Sequence, residues 1–118
     1  MPAVTTKRVY EAVDRRDGLR VLVDRVWPRG VTKENAKADL WLKEIAPSTT
    51  LRKWFAHDRS KWEGFKQRYF KELDAKPEVV AELRAAARKG RLTLLFSARD
   101  LECNQAVALC EYLSLRSK

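Results

Sequence analysis

Apolar and polar residues follow two rhythms along this chain. Lys7 to Ala12 alternate, the period of a strand with one covered face. Gly18 then introduces Leu19-Arg20-Val21-Leu22-Val23, an apolar run suited to a strand covered on both faces, and these two segments are expected to be neighbouring strands. Pro28 and Gly30 break regular structure, so Asp24 to Gly30 is expected as a loop leaving the second strand. Thr32 to Ala38 fits either helix or coil. Asp39 to Ile45 reads as a further strand, closed by Pro47.

From Ser48 onward the period becomes helical. Ser48 or Thr49 can cap a helix through Leu51, Trp54 and Phe55 that ends near His57-Asp58. Ser60-Lys61-Trp62-Glu63 has the spacing of a capping box, and the helix it opens carries Trp62, Phe65, Tyr69 and Leu73 along one stripe. Pro77 opens another helix with Val79, Val80, Leu83 and Ala87 inward and Gly90 at its C-terminal end. Arg91 to Phe96 is the clearest buried strand. After Ser97-Ala98-Arg99-Asp100, a final helix is expected over Leu101 to Leu115, with Cys103, Ala106, Val107, Cys110 and Leu113 on its apolar face.

Strands first, helices next, then strand and helix predict an α/β domain, a small, partly parallel sheet flanked by helices in a Rossmann-like three-layer arrangement. No repeat, low-complexity tract or linker interrupts the chain, so residues 1–118 are expected to form one domain. The glycines at 18, 30, 64 and 90 are isolated and make no dinucleotide fingerprint, so neither NAD nor FAD, nor any other cofactor, is expected. No segment has the roughly 18 apolar residues of a spanning helix, and the start lacks a basic stretch followed by an apolar one. A cytoplasmic protein with no membrane partner is expected.

Charge narrows the partners. Lys and Arg total 25 against 16 Asp and Glu, a formal charge of +9, which points to an anionic small molecule, a nucleotide or a nucleic acid. The denser points are Arg15-Arg16, Arg84, Arg88-Lys89 and Arg91. Cys103 and Cys110 lie about 10 Å apart along a helix axis, too far for a disulfide within it. With a single histidine and no CxxC, a Cys/His zinc site is not expected.

In an open parallel sheet, ligands bind beyond the carboxyl ends of the strands. Two polar clusters occupy such ends here, Asp24-Arg25-Val26-Trp27-Pro28-Arg29-Gly30 and Ser97-Ala98-Arg99-Asp100. The second precedes a helix, whose free N–H groups favour an anion. If their strands are parallel neighbours, both clusters face one crevice. Asp24, Arg25, Trp27, Arg29, Ser97 and Arg99 are therefore the expected ligand-binding residues.

Arg25 and Arg29 can fork onto a phosphate or carboxylate, and Trp27 can stack on a planar group or pack into the core. Ser97 is a candidate nucleophile, anion donor or cap, and Asp100 an acid/base or a cap. His57 sits beside Asp58, whose carboxylate can tune an imidazole, although a histidine at a helix end also caps carbonyls. The catalytic candidates are thus His57, Asp58, Ser97 and Asp100, from which a Ser-His-Asp arrangement could be drawn, without any G-x-S-x-G motif. Asp24, Asp58 and Asp100 could hold magnesium with a phosphate ligand, but their spacing requires no metal. Trp54, Phe55, Trp62, Phe65 and Tyr69, interleaved with Lys53, Lys61, Lys66 and Arg68, resemble a stacking surface for nucleic acid. Helical spacing favours core packing for them.

Taken together, these residues resemble the family known as domain of unknown function 488, the YeaO-like proteins. The resemblance rests on Asp24 to Gly30, on Trp41-Leu42-Lys43-Glu44-Ile45-Ala46-Pro47-Ser48, on Trp54-Phe55-Ala56-His57-Asp58 with Trp62 and Phe65, and on Thr93 to Asp100 with Asn104. It implies a small bacterial or archaeal cytoplasmic α/β protein and carries no activity with it. Family members often have Pro at the position of Arg59, Tyr at that of Phe96 and Lys at that of Arg99. The leading expectation is an anion-binding crevice of phosphate or nucleotide type, with enzymatic turnover left open. The alternative is a basic nucleic-acid-binding module.

Overall fold

A computed structural model describes residues 4–115, which form one four-stranded sheet and five α-helices. The strands are β1 (Val4–Arg8), β2 (Leu19–Leu22), β3 (Leu40–Trp41) and β4 (Leu92–Phe96), in the order β1-β4-β2-β3. All three pairings are parallel, so the sheet is parallel throughout. β4 is matched to β1 from Val4↔Leu92 to Arg8↔Phe96 and to β2 from Leu19↔Leu92 to Leu22↔Leu95.

The two N-terminal strands are therefore not neighbours, because the last strand lies between them. Burial gives the reason. Every residue of β4 is buried, which only an interior strand covered on both faces allows, whereas no residue of β1 is fully buried. β1 also begins before the alternating segment. Its pairing stops after the Val9 amide reaches the Phe96 carbonyl at 2.8 Å, and the Glu11 carboxylate then accepts from the Arg8 amide at 3.0 Å to close a turn. The expected strand over Asp39 to Ile45 shrinks to Leu40–Trp41, since Lys43–Ile45 winds into a 3₁₀ turn.

Thr32 caps the short helix α1 (Lys33–Ala36), and Ser48 caps α2 (Thr49–Phe55) by accepting from the Leu51 amide at 3.1 Å. Then come α3 (Trp62–Asp74), α4 (Pro77–Lys89) and α5 (Gln105–Leu115). The predicted capping box at Ser60 does not form. Asp58 instead caps a 3₁₀ turn over Arg59–Lys61, taking both the Ser60 amide and its hydroxyl, and α3 starts with no side-chain cap. α5 begins four residues later than expected, because the Asp100 carboxylate draws the Glu102 and Cys103 amides into a turn. Asn104 caps α5 by accepting from the Val107 amide at 2.9 Å. Cys103 thus precedes the helix, and Ala106, Ala108, Leu109, Tyr112 and Leu113 form its buried side.

The two faces of the sheet are covered unequally. Val21, Val23, Leu92, Leu94 and Phe96 point to the main core, where they meet Ile45, Phe65, Tyr69, Leu73 and residues of α4 and α5. The Tyr69 hydroxyl donates to the Ile45 carbonyl at 2.6 Å, so the largest buried polar side chain there is satisfied. Leu22 and Leu95 point the other way, to a small cluster with Val9, Ala36 and Trp27. Beside that cluster lies a buried polar network in which Arg20 donates to Asp17 and to the Ala36 and Lys37 carbonyls, while Lys7 reaches Asp17 at 3.1 Å. The third layer is one short helix and loops.

Gly18 makes the close crossing of β2 and β4 possible. Its φ is +68°, and a Cβ there would stand 2.2 Å from the Arg91 carbonyl oxygen. The tryptophan of α2 also packs: Trp54 is partly buried against the main core, with Arg68 4.0 Å and Lys61 5.1 Å from its ring centroid. Among the described residues no helix is long and apolar enough to cross a membrane.

Candidate functional site

Because β2 and β4 are parallel neighbours, the loops that follow them leave the sheet side by side. Asp24 to Arg29 and Ser97 to Asp100 line one cleft of about 890 Å³, with the start of α5 and the exposed side of α2 as its other walls. Two of its braces come from outside both loops. Arg8, at the end of β1, donates to the Ala98 and Ser97 carbonyls at 2.9 and 3.1 Å and holds the second loop in place. Trp41 donates to the Asp24 carbonyl at 2.7 Å.

Asp24 forms the floor. Its carboxylate is buried and accepts the Ser97 amide at 3.1 Å, the Ser97 hydroxyl at 2.6 Å and the Gln105 side-chain amide. Burial pushes the Asp24 carboxyl above the usual carboxylate range, against the pull of those donors and of the nearby Arg52 charge. Ser97 is thereby a donor to Asp24.

The cations divide into two kinds. Arg25 lines the cleft, but its Nε and one Nη already donate to the Pro47 and Ala46 carbonyls at 3.1 Å, so part of its fork braces the segment before α2. Arg29, Arg52, Lys53 and Arg99 are exposed along the cleft, and among the described residues their side chains have no hydrogen-bond or ion-pair partner. Trp27 also lines the cleft, with its indole N–H given to the Val31 carbonyl at 2.6 Å and its ring edge-on to Trp41 at 5.3 Å.

The remaining candidates separate. His57 lines the cleft from a left-handed backbone position after α2, its φ being 59°. Among the described residues it makes no hydrogen bond to Ser97, Asp58 or Asp100, so no Ser-His-Asp relay is assembled. Asp58 is outside the lining, occupied with Ser60. Asp100 is occupied too: Arg59 grips it with two bonds of 2.8 Å, and that contact together with the Cys103 and Glu102 amides lowers its carboxyl to about 2. Those same amides are the donors that sequence reasoning assigned to an anion. Among the described residues no group of three or more His, Cys, Asp or Glu side chains is placed to hold a metal ion.

Arg8, Arg52, Lys53 and Gln105 were not among the sequence candidates. Gln105 carried a weak signal, standing just after the second polar cluster. Lys53 stood out only beside the aromatics of a possible nucleic-acid surface, and Arg8 and Arg52 carried no signal, since only the strand order brings the end of β1 and the side of α2 to this place.

The sequence profile of the inactive DUF488-N3 subclade matches residues 3–118. The uncharacterized protein YeaO of Escherichia coli (strain K12) is 41% identical over 110 residues, which cover 93% of this chain and 96% of that protein. The uncharacterized protein Rv3073c of Mycobacterium tuberculosis is 37% identical over 113 residues, 96% of this chain and 95% of that protein. No solved structure matches the chain. A match over nearly the whole length, to the profile and to these relatives alike, means that the chain belongs to the DUF488 family of YeaO-like proteins.

Proposed function

We propose that this protein binds a small anionic ligand of phosphate or nucleotide type in the cleft between the β2 and β4 loops. The observation that carries this reading is the charge inventory of the rim. Arg29, Arg52, Lys53 and Arg99 are exposed there and unpartnered among the described residues, whereas the carboxylates of the cleft, Asp24 and Asp100, are already saturated by protein donors. Four exposed cations along one cleft outnumber the buried Asp24 charge that interacts with Arg52, which leaves the local potential positive, and a phosphate can take forked bonds from the arginines. The reading is one of binding without turnover. Ser97 donates to Asp24 and not to an imidazole, Asp100 stays ionised at neutral pH, and the description of the subclade as inactive agrees.

Thermal melts with pyrophosphate and with AMP test it, on the wild type and on Arg29→Ala/Arg99→Ala. A ligand that binds only the folded chain raises Tm by mass action, by the equivalent of about 2.7 kcal/mol at a hundredfold excess over Kd. The wild type is expected to gain stability and the double variant to lose most of the gain. Equal gains in both proteins would sink the proposal. Stabilisation by oligonucleotides alone, falling steeply with salt, would instead support the nucleic-acid reading of the +9 charge.

A further inference from the structure

The floor of the cleft has the opposite polarity to its rim. The Ser97 hydroxyl gives its proton to Asp24, because the same carboxylate oxygen also takes the Ser97 amide and must be an acceptor. The Ser97 Oγ is left with lone pairs only. Gln105 turns its NH₂ group to the other Asp24 oxygen, since its carbonyl there would meet a carboxylate, and this leaves Gln105 Oε1 as a second acceptor. Both residues line the cleft, and among the described residues neither acceptor has a protein donor. Behind them stands the buried Asp24 charge, which repels any anionic group brought to the floor.

A ligand that satisfies rim and floor together therefore carries an anionic group at one end and neutral hydrogen-bond donors at the other. A bare polyphosphate or dicarboxylate offers the floor only more acceptors. An ammonium donor would have to pass the four cations of the rim. Neutral donors remain, and hydroxyls are the ones that a phosphorylated sugar carries. Resting on the anion-binding reading above, we propose that the cleft recognises a phosphorylated sugar, free or within a nucleotide, with its phosphate on Arg29 and Arg99 and its hydroxyls donating to Ser97 Oγ and Gln105 Oε1.

Calorimetric titration with ribose 5-phosphate, AMP and inorganic pyrophosphate tests this on the wild type, Arg29→Ala, Ser97→Ala and Gln105→Met. Ribose 5-phosphate or AMP is expected to bind at least about tenfold more tightly than pyrophosphate, and the tighter of the two names the source of the sugar. Ser97→Ala and Gln105→Met are each expected to weaken that ligand about five- to tenfold while leaving pyrophosphate unchanged, the scale of one neutral hydrogen bond lost. Arg29→Ala is expected to weaken all three. Gln105→Met keeps the side-chain length, so a folding defect of Ser97→Ala does not decide the outcome. If pyrophosphate binds as well as the sugar phosphates, the assignment of the floor is overturned and the anion site stands. If none of the three binds, both readings fall.

Discussion

Asp100 looks from its position in the sequence like an acid or base, and its surroundings make it neither. Arg59 grips it from one side and the Glu102 and Cys103 amides from the other, so its carboxyl falls from 3.8 to about 2. A carboxyl whose folded value is depressed contributes stability that is complete above the unfolded value and is lost as pH falls through the folded one. Asp100→Asn keeps an acceptor for the two amides but loses the charge that Arg59 grips, and is therefore expected to be less stable than the wild type at neutral pH by up to about 1 kcal/mol, the worth of a partly exposed pair. That difference is expected to close between pH 3.8 and about 2, which paired melts at stepped pH would show. A constant difference over that range would mean the carboxylate charge is not what matters. The sequence made the two polar clusters legible, because a loop between an apolar run and a helix has few other places to be. It did not make Asp24–Ser97 legible, since the partners are 73 positions apart and only strand order joins them. Nor could it tell that the Arg25 fork is partly used by carbonyls, which no charge pattern records.

Helices were more legible than strands, for a physical reason. A helix carries its period and caps within itself, so α2 and α4 fall where Ser48 and Pro77 place them. The exceptions are the starts of α3 and α5, where Asp58 and Asp100 capture amides that a cap further along was expected to take. A strand is defined by its partner. The alternating residues after Arg8 lose their partner where β4 ends at Phe96, and β3 is cut to a pair of residues by the turn at Lys43–Ile45. Gly18 shows how tightly such partners meet. Gly18→Ala would add a methyl group that overlaps the Arg91 carbonyl in a left-handed backbone conformation, and the β2–β4 pairing must shift to accept it. The expected cost is at least about 1–3 kcal/mol, read as a lower midpoint in urea. The same substitution at Gly90, whose φ of 167° is extended and whose surroundings are open, is the control and is expected to be nearly neutral.

At the scale of the molecule, an α/β sheet with few helices on one side has to close that side in another way. Here part of the closure is ionic: Arg20 and Asp17 are buried together, with Lys7 beside them and Thr93 donating to the Asp17 carbonyl at 2.6 Å. Asp17→Ala leaves the Arg20 guanidinium without its counter-charge, at an expected cost of about 3–5 kcal/mol in chemical denaturation. Asp17→Ala/Arg20→Met, which removes both charges, is expected to recover part of that loss. If the double variant is no better than the single one, the carbonyl contacts of Arg20 matter more than the pair. The strand order carries a consequence for how the chain is made. β1 touches no other strand until Phe96 has been added, and β2 has only the short β3 beside it before then. The last strand made is therefore an interior one, and loops of many residues must close before its ladders to β1 and β2 are gained. A growing chain holds the apolar β2 without its main partner until β4 is made, so the charge spread along it protects an unfinished protein as well as a finished one.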